Sequence, residues 1–254
     1  MDIRTFGDFG RQRECERCLK AINKQSSFDT LFLLPIPTSR DGVYINGTQK
    51  SLESLVSEVD EGALVVGYNI PEPYAVQIAA KGAHIYDAGL DEGFLCANAD
   101  LTARGALGRI LCEFASDVCD IKIAVIGYGR IGKRLLRYLL FLGAEVTVFT
   151  GKESTCLELS MEGASVRRTC ESVDISGFDL IINTAPAHLI TDAAVESLGA
   201  GQKIMDLASG RFIKDARGVI KLASVPDSMY PTSAGALYAR YIARYLFDER
   251  VGEP

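Results

Sequence analysis

The stretch Ile123-Ala-Val-Ile-Gly127-Tyr-Gly129-Arg-Ile-Gly132 constrains this chain more than any other. An apolar run of strand length meets three glycines at G-x-G-x-x-G spacing. It continues into residues whose apolar positions, Ile131, Leu135, Leu139 and Leu142, recur at helical period. Strand, glycine turn and helix in that order predict a βα unit of a parallel sheet. Gly127 serves the tight turn, Gly129 lets something approach the backbone closely, and Gly132 lets helix and strand pack without a Cβ between them. The unsatisfied N–H groups and dipole of the helix start favour negative charge, so the turn predicts a dinucleotide pyrophosphate against Gly127, Tyr128, Gly129, Arg130, Ile131 and Gly132. A glycine-rich turn with no ligand is the competing reading.

The rest of the chain repeats the alternation of short apolar runs with longer helical patterns that marks βαβ units. Strands are expected at 31–34, 63–67 and 83–86, with a short one at 3–6. A second group is expected at 121–126, 145–149, 165–167, 180–183, 203–206 and 219–222. Six strands suit a full doubly wound domain. Helical periods predict an amphipathic helix at 11–22, a domain-crossing helix at 100–113 capped by Asp100, and a last helix at 232–247 that folds back onto the first half. The predicted fold is α/β with two Rossmann-like doubly wound domains. Residues 1–115 plus 232–254 form a flavodoxin-like N-terminal substrate domain, and residues 116–231 form the nucleotide domain.

The end of the second strand, Val148-Phe149-Thr150-Gly151-Lys152-Glu153-Ser154, bears on which dinucleotide is bound. An acid at position 150 would repel a 2′-phosphate, whereas Thr150 and Ser154 donate hydrogen bonds and Gly151-Lys152 brings positive charge, which favours NADP. With Lys152 a solvated loop charge and Glu153 on the ribose, NAD becomes possible. The loops Asn183-Thr184-Ala185-Pro186 and Asp206-Leu207-Ala208-Ser209-Gly210 follow strands whose carboxyl ends hold ligands in open α/β sheets. Both are therefore candidates to line the nicotinamide ribose, and both are equally ordinary turn chemistry.

Composition excludes several classes. With 48% hydrophobic and 24% charged residues the chain can build a core, so disorder is excluded. A net charge of −6 without runs of like charge argues against nucleic acid. Apolar runs fall well short of the roughly 18 residues of a membrane span, and no leader pattern opens the sequence, so a cytoplasmic protein without membrane partners is expected. Seven scattered cysteines read as reduced thiols. Cys15 and Cys18 form one C-x-x-C with no second ligand pair nearby, and His84 and His188 lie far from it, so no metal is expected; both sulfurs are read as half-buried on the first helix. His84 reads as a buried strand histidine. His188, near a helix start, reads either as a general base or as a helix-cap residue.

Several segments together resemble the family of the dipicolinate synthase A subunit. They are Gly7-Asp8-Phe9-Gly10-Arg11-Gln12, Leu33-Leu34-Pro35-Ile36-Pro37 with Ser39 to Gly42, Thr102 with Gly105, the fingerprint itself, Ile182-Asn183-Thr184-Ala185-Pro186, Met205-Asp206-Leu207-Ala208-Ser209, and Pro231 with Ala234-Gly235. Their order and spacing span most of the chain. Departures fall in two places: Ser209-Gly210-Arg211-Phe212 runs quickly to the last strand, and Val225-Pro226-Asp227-Ser228 and Thr232 stand where the family carries a Pro-Gly loop and a lysine. The chain is thus similar to a divergent or shortened member.

The resemblance implies a formate and D-2-hydroxyacid dehydrogenase-like arrangement, with the nucleotide domain inserted into the first. It implies one component of an NADP-dependent oxidoreductase that forms dipicolinate from the cyclic product of dihydrodipicolinate synthase in the mother cell during sporulation. A flavoprotein-like B subunit of dipicolinate synthase as partner, and self-association into a homo-oligomer, belong to the same implication. A small cyclic dicarboxylate calls for bidentate arginines and hydroxyl donors. Pro35, Ser39, Arg40, Asp41, Gly42, Thr102, Arg104 and Ser233 are the candidates, with Arg211 beside them. Two alternatives remain: a non-catalytic NAD(P)-binding regulatory paralogue, and a D-2-hydroxyacid dehydrogenase relative, against which stands the lack of a histidine in the late loop.

Overall fold

The structure, a computed structural model, describes residues 1–22, 26–161, 163–169, 171–208, 210 and 212–247. It divides into two compact units, Met1–Asn98 with Met229–Pro254, and Ala99–Ser228. In chain order the first unit contributes β1 (Asp2–Thr5), α1 (Gly10–Lys20), β2 (Thr30–Leu33), α2 (Leu52–Glu58), β3 (Leu64–Gly67), α3 (Glu72–Ala80), β4 (His84–Asp87) and the start of α4 (Glu92–Glu113). The second contributes the rest of α4, β5 (Lys122–Ile126), α5 (Arg130–Phe141), β6 (Glu145–Thr150), α6 (Glu153–Met161), β7 (Ser165–Arg168), β8 (Leu180–Asn183), α7 (Asp192–Glu196), β9 (Lys203–Asp206), β10 (Val219–Lys221) and α8 (Val225–Met229). The chain then returns to the first unit as α9 (Pro231–Phe247).

The first sheet is parallel in the order β1-β2-β3-β4. Its two central strands are buried apart from half-buried Thr30 at the start of β2, and Phe32 and Val65 pack with Leu52, Leu55 and Ile78 in one core. β1 alternates exposed Asp2 and Arg4 with half-buried Ile3 and Thr5, a pattern that fits an edge and not a position covered on both faces. A flavodoxin-like sheet puts its first strand inside; here the strand order is sequential. α1 and α9 pack closely, with Gly235 of α9 against the backbone of Arg11 and Cys15.

The structure departs from the sequence pattern at two further places, α4 and β4. The helix predicted from Asp100 begins at Glu92, and its cap is Asp91, whose Oδ1 accepts from the Phe94 N–H at 3.0 Å while Oδ2 accepts from the Tyr86 hydroxyl at 2.8 Å. Asp100 lies inside the helix, paired with Arg104 at 2.7 Å. Gly93 and Asn98, both poor helix formers, obscured the first turns. His84, expected to be buried, sits exposed on the edge strand β4 with its ring edge-on to Phe28.

The second sheet is parallel in the order β10-β9-β8-β5-β6-β7. From β5 the chain steps outward to β6 and β7, then jumps back to β8 on the other side, so the order reverses between β5 and β8. Alternate residues of β5 serve two cores: Ile123 and Val125 pack with Leu135 and Leu139 of α5, and Ala124 and Ile126 pack with Phe149, Ile181 and Val195. In α5, Leu136 is buried, whereas Leu142, expected on the apolar stripe, is the C-cap residue and 39% exposed.

Candidate functional site

The carboxyl ends of β5 and β8 meet at the reversal, where open α/β sheets leave a crevice. Gly127 has φ +97°, which a side chain rarely adopts, and a Cβ there would lie 2.8 Å from Thr184 Oγ1. A Cβ on Gly132 would lie 2.3 Å from the Gly127 carbonyl oxygen, so this glycine lets the helix seat on the turn. Gly129 differs from both: its φ is −83° and an added Cβ meets nothing within 4 Å. The protein's own packing does not demand a glycine there.

The two flanking loops are fastened from below. The Thr184 hydroxyl donates to the Ile126 carbonyl at 2.9 Å. Asn183 and Asp206, 1% and 4% exposed, bond through Nδ2 to Oδ1 at 2.9 Å. Asn183 Oδ1 accepts from the Ala185 N–H, and Asp206 Oδ1 from the Ala208 N–H, each at 3.2 Å. These polar side chains lock adjacent strand ends and shape both loops, so they position the site from within the sheet. Leu207 turns into the core. Ser209 and Arg211 lie outside the described residues.

A cavity of about 360 Å³ opens at this sheet end. Gly127, Tyr128, Gly129, Thr150, Gly151, Lys152 and Ala185 line it, together with residues the sequence did not single out: Lys133, Thr155 and Thr169. Among the described lining residues two are lysines, three are threonines and none is acidic. Lys133 lies with its ammonium 4.8 Å from the centre of the Tyr128 ring. Ser154 is exposed and absent from the lining; Thr155, one residue on, is buried and turned inward by the helical period. Glu153 is also outside the lining, its side chain 81% exposed and 3.9 Å from Arg168. Thr155 was missed because only the helical period tells it from Ser154, and Thr169 because it follows β7, beyond the second strand. Ile131 packs against the core, and Arg130 and Pro186 are exposed.

His188 is exposed on the loop after β8, with Nδ1 3.0 Å from the Phe212 carbonyl oxygen and its ring edge-on to Phe212. A carbonyl accepts only from an N–H, so Nδ1 carries the proton and a neutral ring keeps its lone pair on Nε2. His188 is not a helix cap: the Thr191 hydroxyl accepts from the Ala194 N–H at the start of α7.

In the first unit the Ser39 hydroxyl donates to the Tyr44 carbonyl at 2.7 Å, and Asp41 Oδ1 accepts from the N–H groups of Val43 and Tyr44 at 2.9 Å. The Tyr44 and Val43 N–H groups hold the Asp41 carboxyl below its ordinary value. Both side chains are committed to their own loop. Arg40 is exposed, its Nε donating to Asn46 Oδ1 at 3.2 Å. Pro35 is buried, and Gly42 and Ser233 are exposed. In the second unit Thr102 is buried, and Arg104 is held by the Tyr138 hydroxyl at 3.3 Å and by Asp100, which raises its pKa. On α1, Cys15 is fully buried and Cys18 half-buried, so only the second sulfur lies as expected; burial pushes the Cys15 thiol up. Among the described residues no cluster of three or more His, Cys, Asp or Glu could hold a metal, and no helix is long and apolar enough to cross a membrane.

No family model matches the chain. A search of curated proteins finds similarity to the dipicolinate synthase A subunit of Bacillus subtilis, 27% identical over 140 residues, 52% of this chain. The match spans 47% of that protein, about half its length. Among solved structures, the dipicolinate synthase A subunit of Bacillus halodurans superposes with a TM-score of 0.77 at 20% identity, covering 100% of this chain and 98% of that one. The Bacillus subtilis protein gives 0.76 at 18%, with the same coverage. Escherichia coli D-lactate dehydrogenase gives 0.60 at 16%, covering 96% of each. The chain therefore resembles the A subunit of dipicolinate synthase in sequence and in fold, and its α/β architecture is shared with Rossmann-like dehydrogenases.

Proposed function

We propose that this chain is an NADP-dependent oxidoreductase component of the dipicolinate synthase type. The observation that carries the reading is the cavity at the sheet reversal, with two lysines, three threonines and no acid in its described lining, beside a glycine whose Cβ position is open. Pyrophosphate against Gly129 and the start of α5 gains from the N–H groups and dipole there. A 2′-phosphate at the end of β6 meets Lys152 where an NAD-preferring site would place a carboxylate. The exposed position of Glu153 counts against its holding a ribose.

Bound nicotinamide supplies a two-electron hydride acceptor. Aromatising a dihydropyridine dicarboxylate requires the ring to lose one hydride and one proton. His188, with its proton fixed on Nδ1 by Phe212, presents Nε2 to accept that proton. A flavoprotein-like B subunit completes the activity, and the reaction belongs to the mother cell of a sporulating bacterium. Combining the chain with NADP, that flavoprotein-like partner and the cyclic product of dihydrodipicolinate synthase should give absorbance of the aromatic product together with NADPH. Dinucleotide binding without turnover would leave only the nucleotide half of the proposal.

One observation favours a second reading. Arg104, Ser39 and Asp41 are all engaged within the protein, which suits a regulatory paralogue that binds NADP and does not turn over. Under that reading NADPH changes the activity of a partner enzyme, and the chain makes no dipicolinate, alone or with its flavoprotein-like partner.

A further inference from the structure

Thr169, which directly follows β7, lines the cavity and is 8% exposed, and its hydroxyl is buried with no hydrogen-bond partner. Its backbone N–H donates to the Thr150 carbonyl at 3.0 Å, so it is fixed beside the end of β6. A buried hydroxyl without a partner is costly, and native proteins keep few of them unless a ligand or solvent satisfies the group. Thr155, 9% exposed on the first turn of α6, lines the same cavity. Thr150 and Lys152 line it too, and the Thr150 hydroxyl accepts from the Lys152 N–H at 3.3 Å. Threonines from three successive segments therefore line one cavity with Lys152.

We infer that Thr169, with Thr155, determines specificity for a phosphomonoester on the adenosine ribose, donating hydrogen bonds to its oxygens while Lys152 balances its charge. The inference rests on the dinucleotide reading above and adds two residues from outside the β6 turn. A phosphomonoester carries three acceptor oxygens, more than one lysine and one threonine satisfy. A ribose hydroxyl in the same place would leave the lysine without an anion.

The test uses fragments that isolate this end: adenosine 2′,5′-bisphosphate and adenosine 5′-monophosphate, titrated calorimetrically into the full chain and into Thr169→Val, Thr169→Ser and Thr155→Val. Wild type should bind the bisphosphate more tightly. Thr169→Val should weaken the bisphosphate about ten- to a hundredfold, the loss of a hydrogen bond to a charged group, and leave the monophosphate unchanged. Thr169→Ser should restore it. Because the hydroxyl has no partner in the free protein, Thr169→Val should also melt no lower than wild type. Equal affinity of Thr169→Val and wild type for the bisphosphate would overturn the inference, as would a parallel loss of both fragments, which marks a shape role. A wild type that binds both fragments equally would refute the NADP reading itself, and one that binds neither would refute the dinucleotide reading; both are distinct from a failure of Thr169.

Discussion

Two glycine-rich turns of this protein join a strand to a helix and use their glycines in opposite ways. In Gly7-Asp8-Phe9-Gly10, after β1, Gly7 has φ +78° with the Phe9 ring 2.9 Å from its Cβ position, and a Cβ on Gly10 would lie 2.8 Å from Pro231. Every glycine there admits another part of the protein. In Gly127-Tyr128-Gly129, after β5, Gly127 is equally constrained, but Gly129 faces open space. Local composition is nearly the same in both. What separates them is the sheet beneath: the first is sequential in order, while the reversal between β5 and β8 opens a crevice beside Gly129. A glycine that folding does not require, next to a lysine-bearing cavity, marks the turn that serves a ligand.

The largest effects should come from glycines that admit protein. Gly132→Ala forces a Cβ within 2.3 Å of a carbonyl oxygen, and Gly235→Ala within 2.6 Å of the Arg11 carbonyl. Each should cost about 3 kcal/mol, read as a lowered urea midpoint at unchanged slope. If either variant is as stable as wild type, the division between packing glycines and ligand glycines collapses. Next is Asn183→Ala, which removes the donor to buried Asp206 and the acceptor for the Ala185 N–H. A loss of about 2 kcal/mol is expected, with faster amide exchange in both loops. Exchange confined to one loop would show that the pair does not join them.

Lys152→Glu should weaken NADPH by about 2 kcal/mol, from a lost charge-assisted contact and added repulsion, and leave NADH nearly unchanged. The ratio of the two dissociation constants is the readout, and a wild type that already prefers NADH would make Lys152 a bystander. The smallest effect concerns Asp41, whose carboxyl is held low by the Tyr44 and Val43 N–H groups. A depressed folded value means its contribution is present above the ordinary carboxylate range and lost as pH falls through that lower value. Amide exchange at Val43 and Tyr44 should therefore quicken, beyond its intrinsic pH dependence, only in strong acid. Loosening near neutral pH would contradict this.

The second unit was legible because its inner strands β9, β8, β5 and β6 are largely buried and read as apolar runs bounded by turn residues; each of its six strands, the more exposed edges β7 and β10 included, was located within a residue or two. The fingerprint likewise announced itself, since Gly127 and Gly132 answer to local geometry. Legibility failed where the cause was not local. Asp100 resembles a cap in sequence, but Asp91 performs the task because Tyr86 and the Phe94 N–H converge on it. Ser154 and Thr155 are indistinguishable as donors until the helix sets which one turns inward. Thr169 carries no motif and enters the site only because β7 pairs with β6, Thr150 opposite Arg168. His84 looked buried because its strand neighbours are apolar, yet edge position leaves it exposed.

The central claim is that the open space beside Gly129 seats a dinucleotide, and titration of NADPH into wild type and Gly129→Val tests it directly. Valine at this N-cap should change stability by no more than about 1 kcal/mol, because its Cβ meets no protein atom. Its side chain should nonetheless abolish binding by occupying the pyrophosphate's approach. A folded Gly129→Val that binds NADPH as tightly as wild type would contradict the claim and leave the fingerprint a structural turn.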